Sequence, residues 1–179
     1  MSTIAELLGG LVPDSLAIPK TVALWLFLIS LPVSVWAAWN DMRAMKIPNM
    51  SVVVLTLLFV AVAPFLMPLN VFGWQMLQLV VVLVIGILMN AGGLIGAGDA
   101  KFAAAAAPYI YFDDLRFLIL LFAATLLAAV AVHRGAKISP LRKLAPEWES
   151  WKRHGDFPMG LALGGTLSLY LLIGLLQGS

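Results

Sequence analysis

Cysteine is absent from the 179 residues, and charged side chains are scarce. Without cysteine the chain can form no disulfide, no zinc site with thiolate ligands and no cysteine nucleophile. Charged residues make up only 11% of the sequence, whereas hydrophobic residues make up 62%. In a water-soluble domain about a quarter of the residues are charged, so this composition predicts a membrane protein.

The long apolar runs predict an all-α polytopic membrane protein with about six transmembrane helices. A helix needs about 20 apolar residues to cross a bilayer core, and these runs lack the alternation of a β-barrel strand. The predicted spans are about Thr21 to Trp39, Met50 to Met67, Trp74 to Leu94, Ala100 to Tyr111, Phe117 to Val132 and Phe157 to Leu176. The fourth is short. We therefore predict one six-span domain over residues 21–179, with a polar loop at 133–156.

Residues 1–20 carry Glu6 and Asp14 and lack the positively charged start of a signal peptide. We expect this segment to remain uncleaved and to lie at the membrane interface.

Lysine and arginine accumulate in cytoplasmic loops, and their distribution sets the orientation. Six spans with the N-terminus outside leave only Lys20 and Arg116 on the outer side. The nine other cations then lie inside: Arg43, Lys46, Lys101, Arg134, Lys137, Arg142, Lys143, Lys152 and Arg153. This orientation predicts that Asp41 and Asp99 both lie at cytoplasmic helix ends.

These two aspartates are the strongest functional candidates, because a carboxylate near hydrocarbon is costly unless it faces protein or water. Peptide hydrolysis by water needs a base and an acid, and two carboxylates that share a proton can supply both. Each aspartate also has an ordinary explanation. Asp41 could be solvated beside Arg43 and Lys46, and Asp99 could cap the helix that follows it.

Three motifs occur in order around these aspartates. Asp41 to Asn49 reads D-x-R-x-x-K-I-P-N, Gly96 to Lys101 reads G-x-G-D-x-K, and Pro158 to Gly160 reads P-x-G. Together they resemble the type IV prepilin peptidases, a family of GxGD intramembrane aspartyl proteases. The absence of cysteine and the early first span further resemble the short Tad/Flp-type peptidases, which lack the methyltransferase region with paired CxxC motifs.

The resemblance implies that Asp41 and Asp99 are catalytic. The supporting or substrate-binding residues that it implies are Arg43, Lys46, Pro48, Asn49, Gly96, Gly98, Lys101, Pro158 and Gly160. Several of these also have structural explanations. Lys101 could extend to the lipid headgroups, Pro48 and Asn49 could form a turn and a helix N-cap, and the glycines could pack helices or let the Asp99 segment move.

The function implied is removal of a short basic leader peptide from type IV or Flp-like prepilins, at the cytoplasmic face of a bacterial inner membrane. The implied partners are prepilin-like substrates with a hydrophobic N-terminal helix, the lipid bilayer and, as an option, the pilus assembly machinery; no nucleic acid is expected. An archaeal-type preflagellin peptidase, a proton-coupled transporter and a non-catalytic pilus-assembly scaffold remain alternatives.

Three further predictions concern an asparagine within a span, two tryptophans in the polar loop and the two histidines. We expect Asn90 to form a hydrogen bond with a neighbouring helix. Trp148 and Trp151 suit either an anionic membrane surface or a contact with leader peptides or the assembly machinery. His133 and His154 are too far apart in sequence to indicate a metal site, and we expect neither metal nor cofactor.

Overall fold

The computed structural model describes residue 13, residues 15–153 and residues 156–179. These contain six α-helices: α1 (Lys20–Ala44), α2 (Asn49–Leu66), α3 (Leu69–Ala91), α4 (Ala97–Ala106), α5 (Leu115–Ile138) and α6 (Met159–Gln177). All except α4 are long and apolar enough to cross a membrane. The prediction of an all-α polytopic membrane protein is therefore confirmed. Helices are expected here because, in hydrocarbon, backbone N–H and C=O groups must form hydrogen bonds within their own segment.

Four of the helices begin directly after a proline. Proline suits this position because the first N–H groups of a helix have no intrahelical partner, so nothing is lost by its missing N–H. The four prolines are Pro19, Pro48, Pro68 and Pro158. Asn49 is consequently the first residue of α2, and the prediction that Asn49 is its N-cap is wrong.

The fourth predicted span is the ten-residue helix α4, which continues into a 3₁₀ turn at Ala107–Tyr109. At 1.5 Å per residue, α4 is about 15 Å long, half the thickness of a bilayer core. It packs against α2, α3 and α6, and Ala100, Phe102, Ala104, Ala105 and Ala106 are buried. Protein rather than lipid therefore covers much of this short helix.

Helices α1 and α6 form the most extensive packing in the bundle. Glycines on α6 allow the two backbones to approach closely, as is common in membranes. A Cβ at Gly164 would lie 2.9 Å from the Ser34 carbonyl oxygen, and one at Gly174 would lie 2.7 Å from the Ile18 side chain. Gly160 and Gly164, four residues apart, thus both serve this contact.

Two further expectations change in the structure. Asn90 donates from Nδ2 to the Ile95 carbonyl at 2.8 Å, so its predicted bond to a neighbouring helix is wrong and it instead closes the turn after α3. The segment predicted as a loop at 133–156 begins as helix, because α5 continues to Ile138.

Residues 139–153 and Phe157 fold back over the ends of α1 and α5 through a set of aromatic contacts. The Trp148 ring lies 5.0 Å from Trp39 and 5.6 Å from Trp151. The Trp151 ring in turn stacks on His133 at 5.0 Å, and His133 lies 5.7 Å from Phe157. Since Trp151 is buried within the protein, its ring does not face lipid. These contacts anchor the segment that leads into α6.

The opposite end of the bundle is closed by the buried carboxylate of Asp114. It accepts hydrogen bonds from the Ala17 N–H at 2.8 Å, the Ile18 N–H at 3.3 Å and the Tyr170 hydroxyl at 2.7 Å. The Tyr170 oxygen also accepts the Tyr111 N–H at 3.1 Å. One side chain therefore joins the segment before α1, the start of α5 and the middle of α6. Of the predicted interfacial segment, residues 1–12 and 14 lie outside the described residues.

We expect Asp114→Ala to destabilise the protein, because two buried donors and one half-buried donor lose their acceptor. The cost is about 1–3 kcal/mol for each buried group left unsatisfied. The matched control is Asp113→Ala, which removes an exposed neighbouring carboxylate. Thermal unfolding in detergent should show a clear decrease of the midpoint for Asp114→Ala only. Equal midpoints for the two variants would contradict the role of this carboxylate.

Candidate active site

Asp41 lies in the last turn of α1, and its side chain is only 5% exposed. Its Oδ2 atom accepts a hydrogen bond of 2.7 Å from the backbone N–H of Gly160. Gly160 is the second residue of α6, so the carboxylate faces the helix end at which free N–H groups and the positive end of the helix dipole meet. This placement explains how a buried carboxylate is accommodated here.

Glycine is required at position 160 because α6 begins directly against Asp41. A Cβ at this position would lie 2.9 Å from the Asp41 Cβ and 3.1 Å from its Oδ2. Any other residue would push the two helices apart or displace the carboxylate. Pro158 is buried at the N-cap of α6. The P-x-G motif therefore builds the helix start that binds Asp41.

Asp99 is the third residue of α4, with Gly96 at the N-cap. Its carboxylate turns back over Gly96, where an added Cβ would lie 2.6 Å from Oδ2. Asp99 is thus not the N-cap itself, and its carboxylate lies in the first turn beside the free N–H groups of the helix start. Burial and the nearby charge of Asp41 raise the pKa of Asp99 to about 6, against the opposing effect of the Gly96 backbone.

Asp41 and Asp99 line one cavity of about 640 Å³. The cavity lies between the end of α1, the starts of α2 and α4, and the segment that precedes α6. Its other lining residues are Met45, Lys46, Ile47, Asn49, Gly96, Ala97, Gly98, Lys101, Asp156, Phe157 and Met159. Two carboxylates from separate helices, 58 positions apart in the sequence, thus meet at one polar cavity at the end of an apolar bundle.

A sequence model of the type IV leader peptidase family matches residues 26–132. This match covers more than half of the chain and includes both aspartates. The chain belongs to the type IV leader peptidase family. No curated protein and no solved structure matches the chain significantly.

The activity of this family is that of an aspartic-type hydrolase, and its substrates are prepilin-like proteins. At this level, the chain is a leader peptidase. Family membership also agrees with the five membrane-length helices of a multi-pass protein. The matched region ends before Pro158 and Gly160, so the contact between α6 and Asp41 adds a part of the site that lies beyond it.

The remaining predicted site residues fall into two groups. Lys46, Asn49, Gly96, Gly98 and Lys101 line the cavity with the aspartates. Arg43 and Pro48 do not: Arg43 is exposed on the last turn of α1, and Pro48 is the N-cap of α2. The position of Pro48 agrees with its structural explanation as a helix start, and the cytoplasmic location of Arg43 stays a prediction. Lys101 donates from Nζ to Asn49 Oδ1 at 3.1 Å.

An apolar groove of about 400 Å³ extends from Asp99 along the bundle of this leader peptidase. Its floor is one face of α4 and the following turn, formed by Ala103, Ala106 and Ala107. Its walls come from α3, α5 and α6: Gln78, Val82, Leu115, Leu118, Phe122, Leu163, Thr166 and Leu167. The helices α3 and α5 share little contact with each other, so the groove lies between two helices that are mostly uncovered by protein.

The groove and the cavity join at Asp99 and Met159, which line both. Of the two, the sequence predicted a role for Asp99 only. Ile47, Asp156 and Phe157 of the cavity were not predicted as site residues either. A sequence signal for the groove did exist: Asp99, Ala103, Ala106 and Ala107 follow the i, i+4, i+7, i+8 spacing of one helix face. No comparable signal marks Met159, since its position follows from how α6 packs.

Within the described part of the chain, no group of three metal-ligating side chains occurs. His133 is buried against Trp151, and His154 lies outside the described residues. The expectation that this leader peptidase uses no metal stays a prediction.

We expect Gly160→Ala to impair both folding and leader-peptidase activity, because the new methyl group overlaps Asp41. Overpacking of this kind costs about 1–3 kcal/mol, and displacement of Asp41 should lower kcat at least tenfold. The control is Gly165→Ala on the same helix, where an added Cβ meets nothing within 4 Å. Unfolding midpoints and cleavage rates should fall for Gly160→Ala only, and unaltered cleavage by that variant would contradict the assigned contact.

Proposed function

We propose that this leader peptidase is a membrane aspartyl endopeptidase in which Asp41 and Asp99 form the catalytic dyad. The observation that carries the proposal is the shared cavity: two carboxylates, one buried and one half-buried, face the same polar space. In this proposal one carboxylate removes a proton from a water molecule, and the other protonates the carbonyl oxygen or the departing amine. Two close carboxylates favour the state that carries a single proton, which supplies both roles.

We further propose that cleavage occurs at the cytoplasmic face. The cavity that contains the aspartates also contains Lys46 and Lys101, and cations of short loops accumulate on the cytoplasmic side. The cavity is half polar in its lining and joins the groove at Met159. A substrate can therefore have an extended, hydrated scissile segment at the dyad while its apolar part remains at membrane depth.

The groove supports a lateral route for the substrate's hydrophobic helix. Its lining is almost entirely apolar, its floor consists of small alanines, and it leads to Asp99. Small residues allow two helices to approach closely in a membrane. In this proposal the substrate helix enters between α3 and α5, lies along α4 and presents the residues just before it to the dyad.

The proposed substrates are Flp-like or type IV prepilins with a short basic leader, and the proposed location is a bacterial inner membrane. The D-x-R-x-x-K-I-P-N, G-x-G-D-x-K and P-x-G motifs support a substrate of the prepilin class. An archaeal-type preflagellin peptidase would have the same dyad and would differ in the substrate that it cleaves. A proton-coupled transporter would instead show flux in liposomes without proteolysis.

We expect Asp41→Asn and Asp99→Asn each to lower prepilin cleavage by at least about a hundredfold, the typical contribution of a positioned acid or base. The assay mixes the protein in liposomes with candidate prepilins and identifies the new amino terminus by mass spectrometry. Asp113→Asn, an exposed carboxylate near the start of α5, controls for loss of charge. A fully active single variant at either position of the dyad would refute the mechanism.

We expect a photo-crosslinking residue at Leu118 to capture the substrate helix in an Asp99→Asn background. Leu118 lines the groove, whereas Leu127 on the same helix is 72% exposed and, nine residues later, lies about 180° around the helix. Leu127 is therefore the control position. Crosslinks from Leu127 but not from Leu118 would show that the substrate docks elsewhere.

A further inference from the structure

Two segments of the candidate active site are joined by a pair of contacts that involve neither Asp41 nor Asp99 directly. Ile47, in the connection between α1 and α2, is 8% exposed and lies against Gly98, where an added Cβ would be 3.4 Å from the Ile47 Cβ. Two residues further, Asn49 Oδ1 accepts the hydrogen bond of 3.1 Å from Lys101 Nζ. Asp99 lies between Gly98 and Lys101 in the sequence, so these contacts flank it on both sides.

The first turn of α4 depends on contacts from outside the helix. Isolated helices of ten residues are unstable, and α4 is joined to α3 by a turn in which Gly93 has a φ of 72°. Glycine adopts this conformation readily, so the connection on this side does not hold α4 in place by itself. The contacts with Ile47 and Asn49 come from the opposite side, where α1 and α2 meet.

We propose that Asn49 and Lys101 are positioning residues that, together with the Ile47–Gly98 contact, fix the first turn of α4 so that Asp99 faces Asp41. We call these two contacts the α2–α4 latch. The inference rests on the proposed function of the dyad and deepens it. It gives a physical reason for the joint presence of the D-x-R-x-x-K-I-P-N and G-x-G-D-x-K motifs. Ile47 of the former touches Gly98 of the latter, and Asn49 of the former bonds to Lys101 of the latter.

The alternative role for Lys101 is that of a charge that acts on the dyad or on substrate. Among the residues that the structure describes, no ion pair joins Lys101 to Asp41 or Asp99. Its ammonium group is bonded to a neutral amide oxygen. The latch requires a hydrogen-bond donor at position 101 but no positive charge there. Variants that keep the donor and lose the charge can therefore distinguish the two roles.

The first test needs no substrate and uses the absence of native cysteine. Disulfides form when two Cβ atoms are about 3.5–4.5 Å apart, close to the separation at Ile47 and Gly98. The pair Ile47→Cys with Gly98→Cys should therefore cross-link readily under mild oxidation, and adding Lys101→Met should slow cross-linking several-fold. The control pair is Ile47→Cys with Gly73→Cys, because Gly73 has no neighbour within 4 Å. An equal cross-linking rate with and without Lys101→Met would overturn the latch.

The second test measures kcat and KM for prepilin cleavage. Asn49→Leu and Lys101→Met should each lower kcat about tenfold with little effect on KM, because a small misplacement of a catalytic group is costly. Asn49→Asp keeps the acceptor and Lys101→Gln keeps a donor, so both should retain most of kcat. Lys143→Gln, an exposed cation away from the cavity, controls for the lost charge.

The double variant Asn49→Leu with Lys101→Met should lose no more than either single variant, as expected for two halves of one interaction. Additive losses, or a Lys101→Gln variant as inactive as Lys101→Met, would overturn the latch and assign Lys101 a role through its charge. If the unaltered protein cleaves no prepilin, the proposed function fails instead, and the cross-linking test still decides whether the latch exists.

Discussion

The hydrogen bond from the Gly160 N–H to Asp41 is the interaction on which the candidate active site depends. It connects the end of α1 to the start of α6, the two helices with the most extensive packing. Because Gly160 and Gly164 lack side chains, the backbones approach closely enough for a helix N-terminus to face the carboxylate. The same contact thus sets the spacing of the bundle and provides a buried acid with a partner in an apolar environment.

The position of Asp99 has a different origin. Its helix is short, follows a glycine turn and is surrounded by protein on several sides. A short helix leaves room for a polar cavity at one end and for an apolar groove along one face. A full-length span in place of α4 would fill the space where the cavity and the groove meet. In the proposed mechanism, the shortness of α4 reconciles hydrolysis, which needs water, with a substrate that is partly embedded in hydrocarbon.

Much of the architecture could be predicted because hydropathy, proline and the motifs act locally. The apolar runs gave the helices to within a few residues at most ends, and the family resemblance rested on Asp41, Asp99 and their neighbours, which the family match supports. Two of the failures concern hydrogen-bond partners. Asn90 bonds to Ile95 rather than to another helix, and Asn49 bonds to Lys101 rather than capping α2. A polar side chain in an apolar chain must find a partner, but the sequence does not state which one.

The sequence by itself determined that the chain forms membrane helices and where its two candidate acids lie along it, because these follow from runs of adjacent residues. Only the tertiary structure decided that Gly160 binds Asp41, that Ile47 and Asn49 contact the segment around Asp99, and that an alanine face of α4 leads into the site. These contacts join residues between 51 and 119 positions apart. Their geometry depends on how close glycine and alanine allow whole helices to approach, a property of packed pairs that no single helix specifies.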